Sequence, residues 1–318
     1  MSDFTITVVG TGVIGTSVGL ALKQTQEPLR LIAHDKDFAV AKSAVKAGAF
    51  DKAEWNLINA CEPASLVVLA VPLNAVRPTL EAIAPYLREG AVVTDVCRSK
   101  APVLAAAQEL LPAPVHFVGG DPIVTPVGIG YEHGSATLFQ QRLYCLTPAA
   151  SAQEEAVQLI VNFVNLLGGQ PFFLDADEHD GLVAATEYLP AILSTALLNT
   201  LAGQTSWRES RKLAGRLFEQ VSAGAEGDPD GLKDGVLSHQ ETLLIWLDQY
   251  LEQLGQLRTM IAAGEAGGEV LAQSLDKAVV ERRNWLLDYQ QHRFVDPELM
   301  STPVENPGLL RRWIGFGR

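Results

Sequence analysis

Gly10-Thr11-Gly12-Val13-Ile14-Gly15 has the residue types and the spacing to hold a diphosphate. In such a loop the first glycine permits a tight turn and the second lets backbone N–H groups approach the pyrophosphate. The third lets a helix pack closely on a strand, with its N-terminus toward the phosphates. Asp35 follows twenty residues after the last glycine, where a carboxylate can accept hydrogen bonds from the adenosine ribose hydroxyls. A negative group there repels a 2′-phosphate, and no arginine comes immediately after it, so NAD rather than NADP is the expected cofactor.

That chemistry requires the loop to join a strand to a helix. Phe4 to Val9 is a β-type run ahead of it, Ser17 to Leu22 an amphipathic run behind it, and Leu29 to Ala33 a second apolar run leading to Asp35. Leu66 to Pro72 is continuously apolar, as a parallel strand covered on both faces should be, and Pro72 turns the chain into a helical pattern over Ala75 to Leu87. Ala91 to Asp95 and Val115 to Gly120 are further runs of this kind, and Leu143 to Leu146 reads as the final strand before Pro148. Ligands of such a βαβ succession bind beyond the carboxyl ends of the strands, where Pro72, Asp95 and Gly120 fall. Val71 and Pro72 therefore join the candidate cofactor-binding residues.

After Pro148 the period becomes helical, in Val157, Ile160, Val161 and Val164 and again from Leu243 through Leu247, Tyr250, Leu251, Leu254 and Leu257 to Ile261. Tyr188 to Ala202 is apolar almost all the way round and is expected to be buried on every side. Its length, and the flanking Glu187 and Arg208, suit a dimer seam better than a bilayer span. The expected fold is α/β: a Rossmann-type dinucleotide-binding domain over residues 1–149, an all-helical substrate and dimerisation domain over 150–292, and a flexible tail over 293–318. The tail carries Leu309, Leu310, Trp313, Ile314 and Phe316 beside Arg311, Arg312 and Arg318 after a proline-rich stretch. It reads as a docking element, as an inert terminus or as a weak membrane contact through Trp313 and the arginines.

The 318 residues carry 24 Lys+Arg against 37 Asp+Glu, a formal net charge of -13, which argues against general electrostatic binding of nucleic acid. Cys61, Cys97 and Cys145 show neither metal-ligand spacing nor enough members for a disulfide framework, so no metal is expected and a reducing cytoplasm is the simplest location. The first strand begins too close to Met1 for the charged and apolar regions of a signal peptide.

Several motifs, in this order and spacing, resemble the prephenate and arogenate dehydrogenases of tyrosine biosynthesis over roughly residues 4 to 290. They are the glycine loop with Asp35, Ala70-Val71-Pro72, Asp95-Val96 followed by Lys100, Gly119-Gly120 followed by Pro122, Leu138-Phe139, His179-Asp180, Leu189-Pro190 and Arg208-Glu209-Ser210-Arg211. The resemblance implies NAD-dependent oxidation of a carboxylate substrate with loss of carbon dioxide, and a homodimer built by the helical half. It assigns Arg211 to a substrate carboxylate, for which a guanidinium has the bidentate geometry. The residues alone are also compatible with Arg208 and Arg211 forming a solvated helix face.

The chain departs from the family pattern where the chemistry is concentrated. Arg98 stands where an Asp-Val-Gly-Ser-Val-Lys-like run has serine, and Asp121 where a Gly-His-Pro-like run has histidine. Glu187-Tyr188-Leu189-Pro190-Ala191 replaces a Ser-His-Leu-Pro-His-like motif. The family histidine accepts the proton of the substrate's ring hydroxyl as hydride leaves the same carbon. A carboxylate can accept that hydrogen bond, but beside an anionic substrate it is repelled by ~1–4 kcal/mol, depending on the effective dielectric. Arg98 and Asp121 together add one charge of each sign and read as a compensated pair.

The candidate catalytic residues are accordingly Asp121, Arg98 and His179, and the candidate substrate-binding residues Arg211, Tyr188 and Lys100. His179 fits either a family histidine or a capped, solvated helix-start residue near Asp175 and Asp177. Lys100 fits a residue that orients its loop, one that binds the carboxamide end of the cofactor, or a surface lysine at a helix start. Three functions are consistent with the residues: a prephenate or arogenate dehydrogenase with an altered pocket, an NAD-dependent oxidoreductase of the same architecture acting on another carboxylate, and a non-catalytic NAD-binding protein.

Overall fold

The computed structural model describes residues 4–291. The expected tail, 293–318, lies outside them. The chain divides into two compact units, one running to His179 and the other beginning at Asp180.

The first unit is built on an eight-stranded sheet of order β3-β2-β1-β4-β5-β6-β7-β8. Its elements are β1 (Phe4–Val9), α1 (Val13–Lys23), β2 (Leu29–His34), α2 (Phe38–Lys46), β3 (Lys52–Ala53), α3 (Leu57–Cys61), β4 (Leu66–Leu69), α4 (Leu73–Ile83), β5 (Val92–Asp95), α5 (Ala101–Leu110), β6 (His116–Pro122), β7 (Leu143–Pro148), α6 (Glu154–Leu166) and β8 (Gln170–Phe173). The first six strands have the Rossmann order and pair in parallel. β7 runs antiparallel to β6, with Asp121 opposite Cys145, and β8 runs parallel to β7. Successive residues of a strand face opposite sides, and two cores result. Ile6, Val8, Leu31, Val68 and Val118 pack against α1, α2 and α6. Val67, Leu69, Val93 and Phe117 pack against α4 and α5.

Three expectations need correction. Leu143 to Leu146 is not the last strand, because β8 follows α6; Pro171 and two aromatic residues make so short a run hard to separate from a loop by periodicity. The first unit therefore extends some thirty residues past 149, since α6 covers one face of the sheet and β8 completes its edge. The wholly helical part begins only at Asp180.

α7 (Ala176–Val183) carries the chain from one unit into the other and continues through a π turn, Ala184–Tyr188, into α8 (Leu189–Ala202). Pro190 explains the wide turn: it has no N–H for the carbonyl four residues back, and its ring crowds that carbonyl. Leu189 N–H instead bonds the Ala184 carbonyl, five residues back. α9 (Trp207–Ser210), α10 (Arg216–Ser222), α11 (Pro229–Ser238), α12 (Gln240–Ala262) and α13 (Gly268–Gln291) complete the second unit. Within α8 only Ala191 and Ser194 are buried, so the helix expected to be enclosed on every side is largely uncovered in a single chain. Among the described residues, Ala176–Ala202 is the one helical run long and apolar enough by length and composition to cross a membrane.

Candidate active site

The glycine loop leaves the carboxyl end of β1 where the chain order reverses between β1 and β4, the usual place for a ligand in an open α/β sheet. Gly10 has φ +93°, and a Cβ there would lie 2.2 Å from the Ala70 carbonyl oxygen; a Cβ on Gly15 would lie 2.0 Å from that of Gly10. Neither position admits a side chain. Gly12 caps the start of α1 without a side-chain hydrogen bond, and a Cβ on it would meet nothing within 4 Å. The helix terminus is thus open to an anion at Gly12 and tight at the two glycines that shape the turn, as a dinucleotide cradle requires.

Asp35 Oδ2 accepts from Thr11 N at 2.7 Å and Thr11 Oγ1 at 3.1 Å, and its Oδ1 accepts from Asp37 N at 3.0 Å. A carboxylate has about four acceptor directions, so capacity is left for a ribose hydroxyl. Thr11 is buried beneath Asp35, while Val13 and Ile14 begin α1 half-buried. Val71 Cγ1 stands 3.2 Å from the place of a Gly10 Cβ, and Pro72 caps α4. The candidate cofactor residues therefore meet at one end of the sheet.

At the ends of β5 and β6 lies a buried polar clasp. Asp95 accepts from Lys100 Nζ at 2.5 Å, from Cys97 N at 2.9 Å and from Gly120 N at 3.1 Å, and Lys100 Nζ also donates to the Gly120 carbonyl at 2.5 Å. Both charged side chains have no exposure, which overturns Lys100 as a surface lysine. Its ammonium ties the loop after β5 to the strand bearing Asp121. Burial, reinforced by Asp95, also pushes the Cys97 thiol far up, so it is not a nucleophile.

Asp121, next along β6, is 1% exposed, and its Oδ2 lies 3.2 Å from His179 Nε2. His179 is likewise 1% exposed. It sits in the first turn and a half of α7 rather than as a solvated cap, so that reading is corrected. Nearby, Tyr144 is fully buried beside Asp95 and Asp121; burial first, and then both carboxylates, hold its phenol well above its ordinary pKa, and therefore neutral. Arg98, half-buried on the loop between Asp95 and Lys100, donates to the Val124 carbonyl at 3.1 Å.

The remaining candidates belong to the helical unit. Arg208 and Arg211 are exposed, Arg208 in the four-residue α9 and Arg211 as its C-cap. Tyr188 packs against His239, with ring centroids 4.7 Å apart and the planes tilted by 37°. No local pattern in the sequence marks His239 or pairs Lys100 with Asp95. Among the described residues, no cluster of three or more His, Cys, Asp or Glu suits a metal ion.

A Rossmann sheet with a glycine cradle, an acidic strand end and a buried titratable pair past β6 defines a dinucleotide-dependent oxidoreductase type of fold and site. Comparison with known proteins narrows this. The family model "Prephenate dehydrogenase, nucleotide-binding domain" matches residues 18–172, and "Prephenate dehydrogenase, dimerization domain" matches residues 175–277. The chain belongs to the prephenate/arogenate dehydrogenase family.

It is 26% identical over 264 residues to prephenate dehydrogenase of Bacillus subtilis, covering 82% of this chain and 71% of that protein. It is 28% identical over 260 residues to cyclohexadienyl dehydrogenase of Zymomonas mobilis, covering 81% and 88%. The solved structure of Synechocystis arogenate dehydrogenase superposes with a TM-score of 0.76 at 27% identity, covering 89% of this chain and all of that one. Aquifex aeolicus prephenate dehydrogenase, solved with hydroxyphenyl propionate and NAD+, shares the fold with a TM-score of 0.82 at 22% identity, covering 89% and 99%.

Proposed function

We propose that this chain catalyses the NAD-dependent oxidative decarboxylation of prephenate or arogenate, using the Asp121–His179 pair as the acceptor of the ring-hydroxyl proton. The observation that carries the reading is the 3.2 Å contact between these two buried side chains, at the strand end where the family pattern has a histidine. A histidine has been replaced in sequence, yet an imidazole still stands at the same carboxylate.

The bound dinucleotide supplies the hydride acceptor. Gly10, Gly12 and Gly15 with the start of α1 would hold its diphosphate, and Asp35 would accept from a ribose hydroxyl. Asp121 uses the acceptor positions left by His179 to receive the hydrogen bond of the substrate hydroxyl, and takes its proton as the C–H bond breaks. His179 stabilises the carboxylate and, when protonated, offsets its repulsion of an anionic substrate. Lys100 and Asp95 fix the strand end that carries Asp121, and Arg211 is assigned to a substrate carboxylate on the family pattern. Loss of carbon dioxide follows from aromatisation of the ring, so the protein's part is orientation, proton acceptance and charge pairing. We further assign the chain to the cytoplasm and to a homodimer formed through the helical unit.

NADH formation, followed by its near-ultraviolet absorbance, tests the reading with prephenate, arogenate and a panel of hydroxy acids. Turnover of either cyclohexadienol is expected, and Asp121→Asn should lower kcat by about 10²–10⁴-fold, the usual share of general acid–base catalysis. Turnover confined to a hydroxy acid, or an Asp121→Asn protein of unchanged kcat, refutes it.

A further inference from the structure

Thr11 stands among the glycines of the cradle, yet it is fully buried. β1 and β2 pair in parallel with Val9 opposite His34, and Gly10 N donates to the His34 carbonyl at 2.8 Å. Gly10 then turns the chain, so Thr11 and Asp35 leave the sheet as neighbours. A buried hydroxyl needs a partner, and threonine has a single O–H proton to give. Thr11 Oγ1 gives it to Asp35 Oδ2 at 3.1 Å, and Thr11 N donates to the same oxygen at 2.7 Å.

Thr11 is itself held from behind. Thr16, in the first turn of α1 and equally buried, donates its hydroxyl to the Thr11 carbonyl at 2.9 Å. The place of a Gly134 Cβ lies 2.8 Å from Thr16 Cγ2, so the chain between β6 and β7 passes directly over this threonine. Beside it, Ser135 N donates to Ser17 Oγ at 2.9 Å.

The two oxygens of Asp35 are consequently unlike. An ionised carboxylate has about four acceptor directions, shared between its two oxygens. Oδ2 spends its share on Thr11 and is turned into the protein. Oδ1 accepts from Asp37 N at 3.0 Å, at the surface, and keeps one direction.

We propose that Thr11 is a positioning residue for the selection of NAD over NADP, acting through Asp35. Its two donors hold the carboxylate with Oδ1 toward the adenosine ribose and stop it from swinging away from a 2′-phosphate; bonds of this kind to an ionised acceptor are short and strong. A carboxylate free to turn would retreat from the phosphate and leave the exposed Lys36, next in the chain, to pair with that group. A fixed one repels it. The proposal rests on the assignment of Asp35 to the ribose.

Equilibrium titrations of the full chain with NAD and with NADP, followed by calorimetry or protein fluorescence, test this without a substrate. The quantity read is the ratio of the NADP Kd to the NAD Kd. Asp35→Asn removes the charge and should lower that ratio about tenfold or more. Thr11→Val keeps the shape of the side chain but not its donor, and should lower the ratio about fivefold. Thr11→Ser retains the donor and should stay within about twofold of the unsubstituted protein. In the Asp35→Asn background, Thr11→Val should change the ratio by less than about twofold, because the group it acts through is gone.

A loss of affinity that Thr11→Val inflicts equally on both dinucleotides overturns the proposal, since a merely structural threonine would behave in that way. Should Thr11→Val not fold, Thr11→Ala carries the same comparison, with Thr11→Ser again as its control. A ratio that Asp35→Asn leaves unchanged refutes the assignment of Asp35 to the ribose and the proposal with it. A ratio moved by Asp35→Asn but not by Thr11→Val defeats the positioning role alone.

Discussion

The nucleotide-binding unit and the helical unit satisfy their side chains in different ways. In the first, apolar residues of a central sheet are closed off on both faces, and its charges near the site are matched internally, as with Asp95 and Lys100. In the second, α13 has no buried residue, α12 buries only Leu243, and Leu251, Val279 and Trp285 are more than half exposed. Apolar side chains left exposed on two helices are what an association site presents, and the matching family model is a dimerization domain. The first unit encloses its central sheet within one chain, whereas the second leaves apolar helix faces uncovered in a single chain.

Removing one internal charge from the first unit is expected to have the largest effect. Lys100→Met leaves Asp95 buried without its cation, and truncating one member of a buried pair costs about 3–5 kcal/mol. A lowered denaturation midpoint with an unchanged slope should report it. A loss under about 1 kcal/mol would show that the clasp contributes little.

The helical unit should respond to concentration instead. Leu275, 55% exposed on α13, is replaced by lysine to place a charge on the apolar face. Leu275→Lys is expected to weaken self-association by about tenfold or more, as loss of an interface contact does. The unsubstituted protein should lose melting temperature on dilution. Sedimentation of both proteins over a dilution series measures this, and a unit that stays monomeric throughout contradicts the comparison.

The smallest effect expected lies at the surface of the first unit. Asp51 is partly desolvated, which pushes its carboxyl up. Hydrogen bonds from Lys23 and Leu31 N, with the charges of Lys23 and Arg30, outweigh this and hold it below its ordinary value of 3.8. A carboxyl depressed in the folded state stabilises above its unfolded pKa, and that contribution disappears as pH falls through the folded one. Asp51→Asn should therefore cost less than about 1 kcal/mol near neutrality. The gap from the unsubstituted protein should close below pH 3.8. A gap that persists at low pH would assign the effect to packing.

Features that depend on neighbours in the chain are legible in the amino-acid sequence. Glycine spacing between a strand and a helix, a carboxylate at the end of the next strand and a change of hydrophobic period are local patterns, and they marked the candidate cofactor cradle and the fold class. β8 escaped because four residues containing a proline have too little periodicity, and α8 looked enclosed because composition cannot say whether the covering surface comes from the same chain.

The site was decided by tertiary structure. Asp121 and His179 are separated by 58 positions and Asp95 and Gly120 by 25; only the sheet order and the rotation of α7 bring such residues into contact. Sequence could name Asp121 as a misplaced charge and propose Arg98 to balance it, but His179 is the partner set at 3.2 Å. Lys100 looks like a surface residue until β6 closes over it. The physical reason is common to all of these: turn chemistry and periodicity act over a few residues, whereas burial and charge pairing are fixed by which distant segments pack together.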